Sequence, residues 1–171
     1  MNVTYPYLPA GRTLLCVPEN NPFMRAAKEF ARKNHTVRHI HAAVVVKDGE
    51  TIGRGSIGGG FHGEIDPATG EKRGCTRERL NVPTGTQYEL CKGCGYDYHS
   101  EHSAIRDALE RGHDPNEADV YLWGHWWCCE PCWSAMIDAG IRDVYLMEGS
   151  ERLFNRESSE NSIGHQFDVS V

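Results

Sequence analysis

Four side chains in this sequence have the types and spacing of a catalytic metal centre. His99 and Glu101 stand two positions apart, and Cys129 and Cys132 form a C-x-x-C pair thirty positions beyond the histidine. One imidazole and two thiolates give a zinc ion three protein ligands. Three leave one tetrahedral position open to solvent, which is the catalytic rather than the structural pattern. Glu101, beside the histidine, is placed to move protons without binding metal. Residues three apart share one face of a helix, so the two cysteines can converge on a single ion. A predicted helix start at Pro131 adds unpaired backbone N–H groups that favour thiolates.

Each half of this pattern is weak alone. A lone H-x-E is common on helices, and a lone C-x-x-C is only moderately informative. Their joint spacing, with a helix start predicted at both places, is hard to obtain by accident. Two plainer readings stand beside it. The zinc could be purely structural, or Glu101 could merely complement the helix dipole.

H-x-E followed by a cysteine pair that opens a helix is the zinc-deaminase signature. The run VYLWGHWWCCEPCWSAMIDAGIRDVYL resembles the cytidine and deoxycytidylate deaminase superfamily, where a strand leads into the cysteine pair and a helix ending AGI feeds the next strand. Upstream, GCTRERLNVPTGTQYELC and then HSEHSAI are similar to the C-x-R…S/T-G…C…H-A-E-x-x-A-I run of deoxycytidylate deaminases. The resemblance covers roughly residues 20–148. It implies a three-layer α/β/α fold around a mixed sheet of about five strands, a catalytic zinc and a homo-oligomer. It also implies hydrolysis of a cytosine nucleotide to the uracil nucleotide and ammonia, with Glu101 as proton shuttle.

Two departures bear on that expectation. Cys128 stands where the family has a proline, and Pro131 falls inside the cysteine pair instead. The family's substrate-contacting G-Y-N-G asparagine has no counterpart in Gly55-Ser56-Ile57-Gly58. The substrate therefore stays open among cytosine nucleotides, cytidine, a modified cytosine nucleotide, a purine and a pterin. From a different class comes a non-catalytic, zinc-stabilised binding module.

A second cluster surrounds Cys91-Lys92-Gly93-Cys94, a tight turn of zinc-knuckle type. Cys75 offers a third sulfur and His62 a fourth ligand, with Cys16 as its rival. The resemblance allows a second, structural zinc here; the alternative is reduced cysteines that lie near one another. Cys128 reads as a packed thiol, and His102 faces differently from His99. For the substrate, Trp123, His125, Trp126 and Trp127 crowd the approach to the cysteine pair, either to stack on a base or to fill core or interface. Arg54 and Arg77 are candidates for a phosphate, Arg77 matching the C-x-R arginine, and Tyr98 is a candidate pocket residue.

The elements that must position these groups follow from composition and period. A chain of 171 residues suits one domain. A net charge of -6 without a Lys/Arg cluster argues against nucleic acid and leaves a small nucleotide or nucleoside allowed. Neither an export signal nor an apolar run of membrane-spanning length is visible, and seven cysteines, partly in C-x-x-C pairs, suggest reduced thiols and a cytoplasmic setting. Residues 1–19 read as an irregular lead-in with Cys16 as a buried small hydrophobe. A helix capped by Asn20 or Asn21 runs to about Asn34, and a hairpin turns at Asp48-Gly49. A Gly- and Pro-rich stretch from Gly58 to Cys75 reads as a pocket-shaping loop or a plain surface excursion. Helices over 100–111 and 131–139 alternate with strands over 120–123 and 143–147. A last helix over 151–156 precedes a polar tail from about residue 157.

Overall fold

Strand β2 (Ala42–Lys47) is the axis on which the layers are hung. Its run Ala42 to Val46 is buried throughout, as a strand covered on both faces requires. In the computed structural model, which describes residues 3–35, 37–58, 67–71, 74–83 and 86–168, the other strands are β1 (Leu14–Val17), β3 (Glu50–Ser56), β4 (Asp119–Trp123) and β5 (Val144–Met147). The sheet order is β1-β5-β4-β2-β3. β1, β5 and β4 run parallel, whereas β2 is antiparallel to both β4 and β3.

Helices cover both faces. α1 (Pro22–Asn34) packs Met24, Ala27 and Ala31 against Ala42, Val44, Tyr121 and Trp123. α3 (Ser100–Glu110) and α4 (Glu130–Asp138) pack Ala104, Ala108, Cys132 and Met136 against Ala43, Val45, Val120 and Leu122. Alternate residues of β2 and β4 thus feed two separate cores. The three-layer α/β/α architecture and its five-stranded mixed sheet agree with expectation. α1 starts as predicted: Asn21 Oδ1 accepts the backbone N–H groups of Phe23 and Met24 at 3.0 and 3.2 Å, with Pro22 in the first turn. Two shorter helices, α2 (Thr76–Arg79) and α5 (Ser150–Phe154), complete the set.

Two glycines set how closely α3 can lie on β3. A Cβ on Gly53 would come within 2.2 Å of the Ala104 carbonyl oxygen, and one on Gly55 within 2.3 Å of the Ala104 nitrogen. Only a bare backbone fits there, and the close approach carries the start of α3 up to the sheet.

Both ends of the chain differ from expectation. The lead-in contains strand β1, whose parallel pairing with β5 outweighs its proline-rich surroundings. Cys16 on that edge strand is exposed rather than buried. At the other end, the polar segment beyond residue 157 is fitted into the fold. Gln166, only 2 % exposed, accepts the Ile40 N–H and donates to the Ile40 carbonyl, both at 2.7 Å. Phe167 stacks on Trp123 at 5.2 Å. A side-chain amide offers the same donor and acceptor as a strand neighbour, which hydropathy patterning does not register.

Candidate active site

The two helix starts that hold the predicted ligands face each other. His99 is the residue capping α3, and Cys129 caps α4, each in extended backbone (ψ 154° and 159°) that turns into the helix. Pro131, in the first turn of α4, has no N–H to satisfy there. Cys132 follows one turn on. His99 Nδ1 lies 3.5 Å from both Cys129 Sγ and Cys132 Sγ. Zinc–sulfur and zinc–nitrogen bonds of ordinary length subtend about 3.6 Å between ligand atoms at a tetrahedral angle. The donor set therefore fits zinc in spacing as well as in chemistry. The electrostatics agree. Cys129 is lowered to about 5, first by its hydrogen bond with Cys132 and also by His99, while Cys132 is pushed far up by the same pairing and by burial. Two sulfurs sharing one proton are a pair that a divalent cation can take over.

Glu101 is 4 % exposed, in the first turn of α3, where the helix dipole favours its charge. It lines a cleft of ≈ 580 Å³ together with His99 and Cys129. Ser100 Oγ donates to its Oε2 at 2.9 Å, and Ser100 is itself 2.9 Å from His41 Nδ1. The Cys128 thiol, beside Glu101, is raised far above its ordinary value, first by burial and then by the Glu101 charge. Cys128 is 0 % exposed and sits in the core with Cys132. His102 turns away from the centre and reaches Pro131 O at 3.3 Å, tying α3 to α4.

Three imidazoles form one wall of the cleft: His39, His41 and His125. His39 stacks on His125 at 5.2 Å and 20°, and His41 meets His125 edge-on at 5.2 Å. Burial lowers His39 to about 4 and holds His41 and His125 well below the usual range. All three are neutral at physiological pH. Of the three, the sequence singles out only His125, beside the cysteine pair. His39 and His41 flank Ile40 at the alternating positions that share one strand face, and that was the one signal available.

The predicted substrate residues separate. Trp127 lines the cleft and meets His125 edge-on at 5.0 Å. Trp126 packs against the core under α1, and Trp123 is buried in it. Tyr98 lies outside the cleft lining, its ring flanked by the Lys92 and Arg106 cations. Arg54 is exposed on edge strand β3, away from the cleft. Arg77 does line the cleft, but its guanidinium donates to Thr86 O and Pro83 O at 2.9 Å and stacks over Tyr88. Two cleft cations that sequence reading missed are Arg38 and Arg156; Arg156, just after α5, makes no hydrogen bond or ion pair among the described residues. Its charge is close enough to help lower His39 and His125.

Cys75, Cys91 and Cys94 do come together. All three are buried, Cys75 and Cys94 sulfurs are 3.3 Å apart, and the three ligand atoms lie within 4.8 Å of one another. His62 lies outside the described residues, as does most of the first half of the predicted pocket loop. Cys16, exposed on β1, is not in this group. The Cys94 backbone hydrogen-bonds His99, so the thiol cluster abuts the first metal centre.

Residues 18–148 match the family model described as the cytidine and deoxycytidylate deaminase zinc-binding region. The chain belongs to this family. No curated protein matches it. Among solved structures it is similar to the dCMP deaminase of the cyanophage S-TIM5 in complex with dCMP and dUMP, at 17% identity over 87% of this chain and 91% of that one, TM-score 0.47. It is also similar to the diaminohydroxyphosphoribosylaminopyrimidine deaminase/5-amino-6-(5-phosphoribosylamino)uracil reductase of Thermotoga maritima, at 23% identity over 72% of this chain, TM-score 0.41, where it spans 28% of the other's length. The guanine deaminase of Bacillus subtilis is 21% identical over 72% of this chain and 60% of that one, TM-score 0.40. Within this zinc-binding region of the family, the cluster of His99, Cys129 and Cys132 fits a catalytic zinc. Among the described residues, no helix is long and apolar enough to cross a membrane.

Proposed function

We propose that the protein deaminates a cytosine nucleotide, giving the uracil nucleotide and ammonia, and that residues 1–171 act as a single deaminase unit. The observation that carries this reading is the buried Glu101 carboxylate lining the same cleft as His99 and Cys129. Zinc held by His99, Cys129 and Cys132 supplies the polarisation that makes water reactive near neutral pH. Glu101 would receive one proton from the water and pass it to the ring nitrogen, where it stays in the uracil. The second proton, from the hydroxyl now on the amine-bearing carbon, would pass through the same carboxylate to the amine, which leaves as ammonia as the carbonyl forms. Trp127 offers a face for the base, and Arg156 a guanidinium for the phosphate. The thiols of Cys75, Cys91 and Cys94 hold a second, structural zinc that fixes the loop below His99. The enzyme works in the cytoplasm as a homo-oligomer.

Ile57 favours keeping a second substrate class in the test. It lines the cleft and stands in sequence where the family has its asparagine. An apolar side chain cannot make that residue's hydrogen bonds, so another amino-heterocycle such as a purine or pterin belongs in the test.

An ammonia-release screen over cytosine and purine nucleosides, their monophosphates and a pterin decides between them. Activity on a cytosine monophosphate above all others is expected. Glu101→Gln should lower kcat roughly 10²–10⁴-fold with zinc content unchanged. Arg156→Ala should raise KM for the monophosphate about tenfold and leave the nucleoside unaffected. No ammonia release by the wild type, with substitution of Glu101 altering nothing but stability, would favour a zinc-stabilised binding module.

A further inference from the structure

Two polar side chains, Ser100 and through it His41, hold the Glu101 carboxylate, and no reading of the metal centre assigns them a role. A carboxylate oxygen only accepts, so the Ser100 hydroxyl at 2.9 Å spends its proton on Glu101 Oε2. The Ser100 oxygen is then an acceptor for its other neighbour, His41 Nδ1, also at 2.9 Å. That fixes the tautomer of His41: the proton is on Nδ1. Neutral His41 satisfies this, and its burial keeps it neutral. The chain is closed to solvent, with Ser100 0 %, Glu101 4 % and His41 8 % exposed.

We infer that His41 and Ser100 are positioning residues: the run His41 Nδ1–H to Ser100 Oγ–H to Glu101 Oε2 pins one carboxylate oxygen, so that the other is held toward the cleft. Buried donors whose own orientation is fixed hold a rotamer far better than solvent does. His41 sits at the entry of β2 and Ser100 at the first position of α3, so two elements from opposite ends of the hairpin-helix unit agree on one side-chain angle. The inference rests on Glu101 acting as the proton carrier, and its test is built to separate the two.

The variants are Ser100→Ala, His41→Leu and His41→Asn, each prepared zinc-loaded. Asparagine places an amide N–H about where Nδ1–H stood. On the substrate found by the ammonia screen, Ser100→Ala and His41→Leu should lower kcat roughly ten- to a hundredfold with KM within twofold and zinc content unchanged. His41→Asn should stay within about threefold of wild type. Crystal structures of the wild type and Ser100→Ala give a readout independent of turnover: Oε2 of Glu101 stays on Ser100 in the first and leaves that position in the second. A Glu101 carboxylate that keeps its place in Ser100→Ala overturns the inference, as does an unchanged kcat in Ser100→Ala or a His41→Asn as impaired as His41→Leu. If the wild type releases no ammonia from any compound, the deaminase reading fails, and the carboxylate's position still decides this one.

Discussion

His39 shows how burial dominates a residue's charge in this cleft. Its Nε2 is 2.9 Å from the Gly124 carbonyl, a bond that favours the protonated ring, yet burial wins and lowers the group to about 4. His41 and His125 move the same way for the same first cause. The sign follows from linkage. Between about pH 6.5 and pH 4 the unfolded chain binds protons that the folded wall refuses, so stability falls as pH drops through that window. Replacing His39 by Gln keeps a donor for Gly124 and removes the titration. The expected result is a melting temperature that declines less steeply from pH 6.5 to pH 4.5 in His39→Gln than in the wild type, measured at equal zinc loading. Equal slopes would mean that His39 is solvated.

At the scale of elements, the contact between α3 and β3 decides whether the metal ligands can meet at all. α3 brings His99 and Glu101, and α4 brings Cys129 and Cys132; what registers α3 is its seat on Gly53 and Gly55. The atoms a Gly55 Cβ would strike are backbone, the Ala104 nitrogen at 2.3 Å and the Ser100 oxygen at 2.4 Å, and backbone cannot rotate away. Gly55→Ala must therefore lift the start of α3. A cost of about 1–3 kcal/mol is expected from such overpacking. Because His99 adjoins Ser100, zinc affinity should fall as well, as read by competition with a chelator. A variant with a lowered melting temperature but unaltered zinc affinity would show that the helix shifts without moving its cap.

The whole molecule contributes a wall that no single element supplies. Residues from the last stretch of chain, Arg156, Asn161 and Ile163, line the cleft together with residues of the α2 segment. That stretch is held by Gln166 gripping Ile40 and by Ser162, whose N–H and hydroxyl both bond the Leu153 carbonyl. Ile40 lies between His39 and His41, so the same grip steadies the imidazole wall. Gln166→Leu keeps the volume and strands two buried groups, at about 1–3 kcal/mol for each. A lower melting temperature is expected, together with a fall in kcat on the screened substrate. An unchanged melting temperature would mean that water replaces the amide.

What the sequence by itself determined was everything with a short-range signature. His99, Glu101, Cys129 and Cys132 were legible because ligand spacing on helix starts is local chemistry. The alternation of helix and strand was legible because apolar periods are local too. Cys75, Cys91 and Cys94 were suspected from a tight turn plus one distant sulfur. The tertiary structure alone decided the rest. β1 exists because β5 is there to pair with it, and Gln166 is buried because Ile40 needs a donor and an acceptor across a gap of 126 residues. Arg156 rather than Arg54 or Arg77 presents a charge to the cleft, and His41 reaches Glu101 through Ser100, because polar partners chosen across the fold leave no periodic trace along the chain.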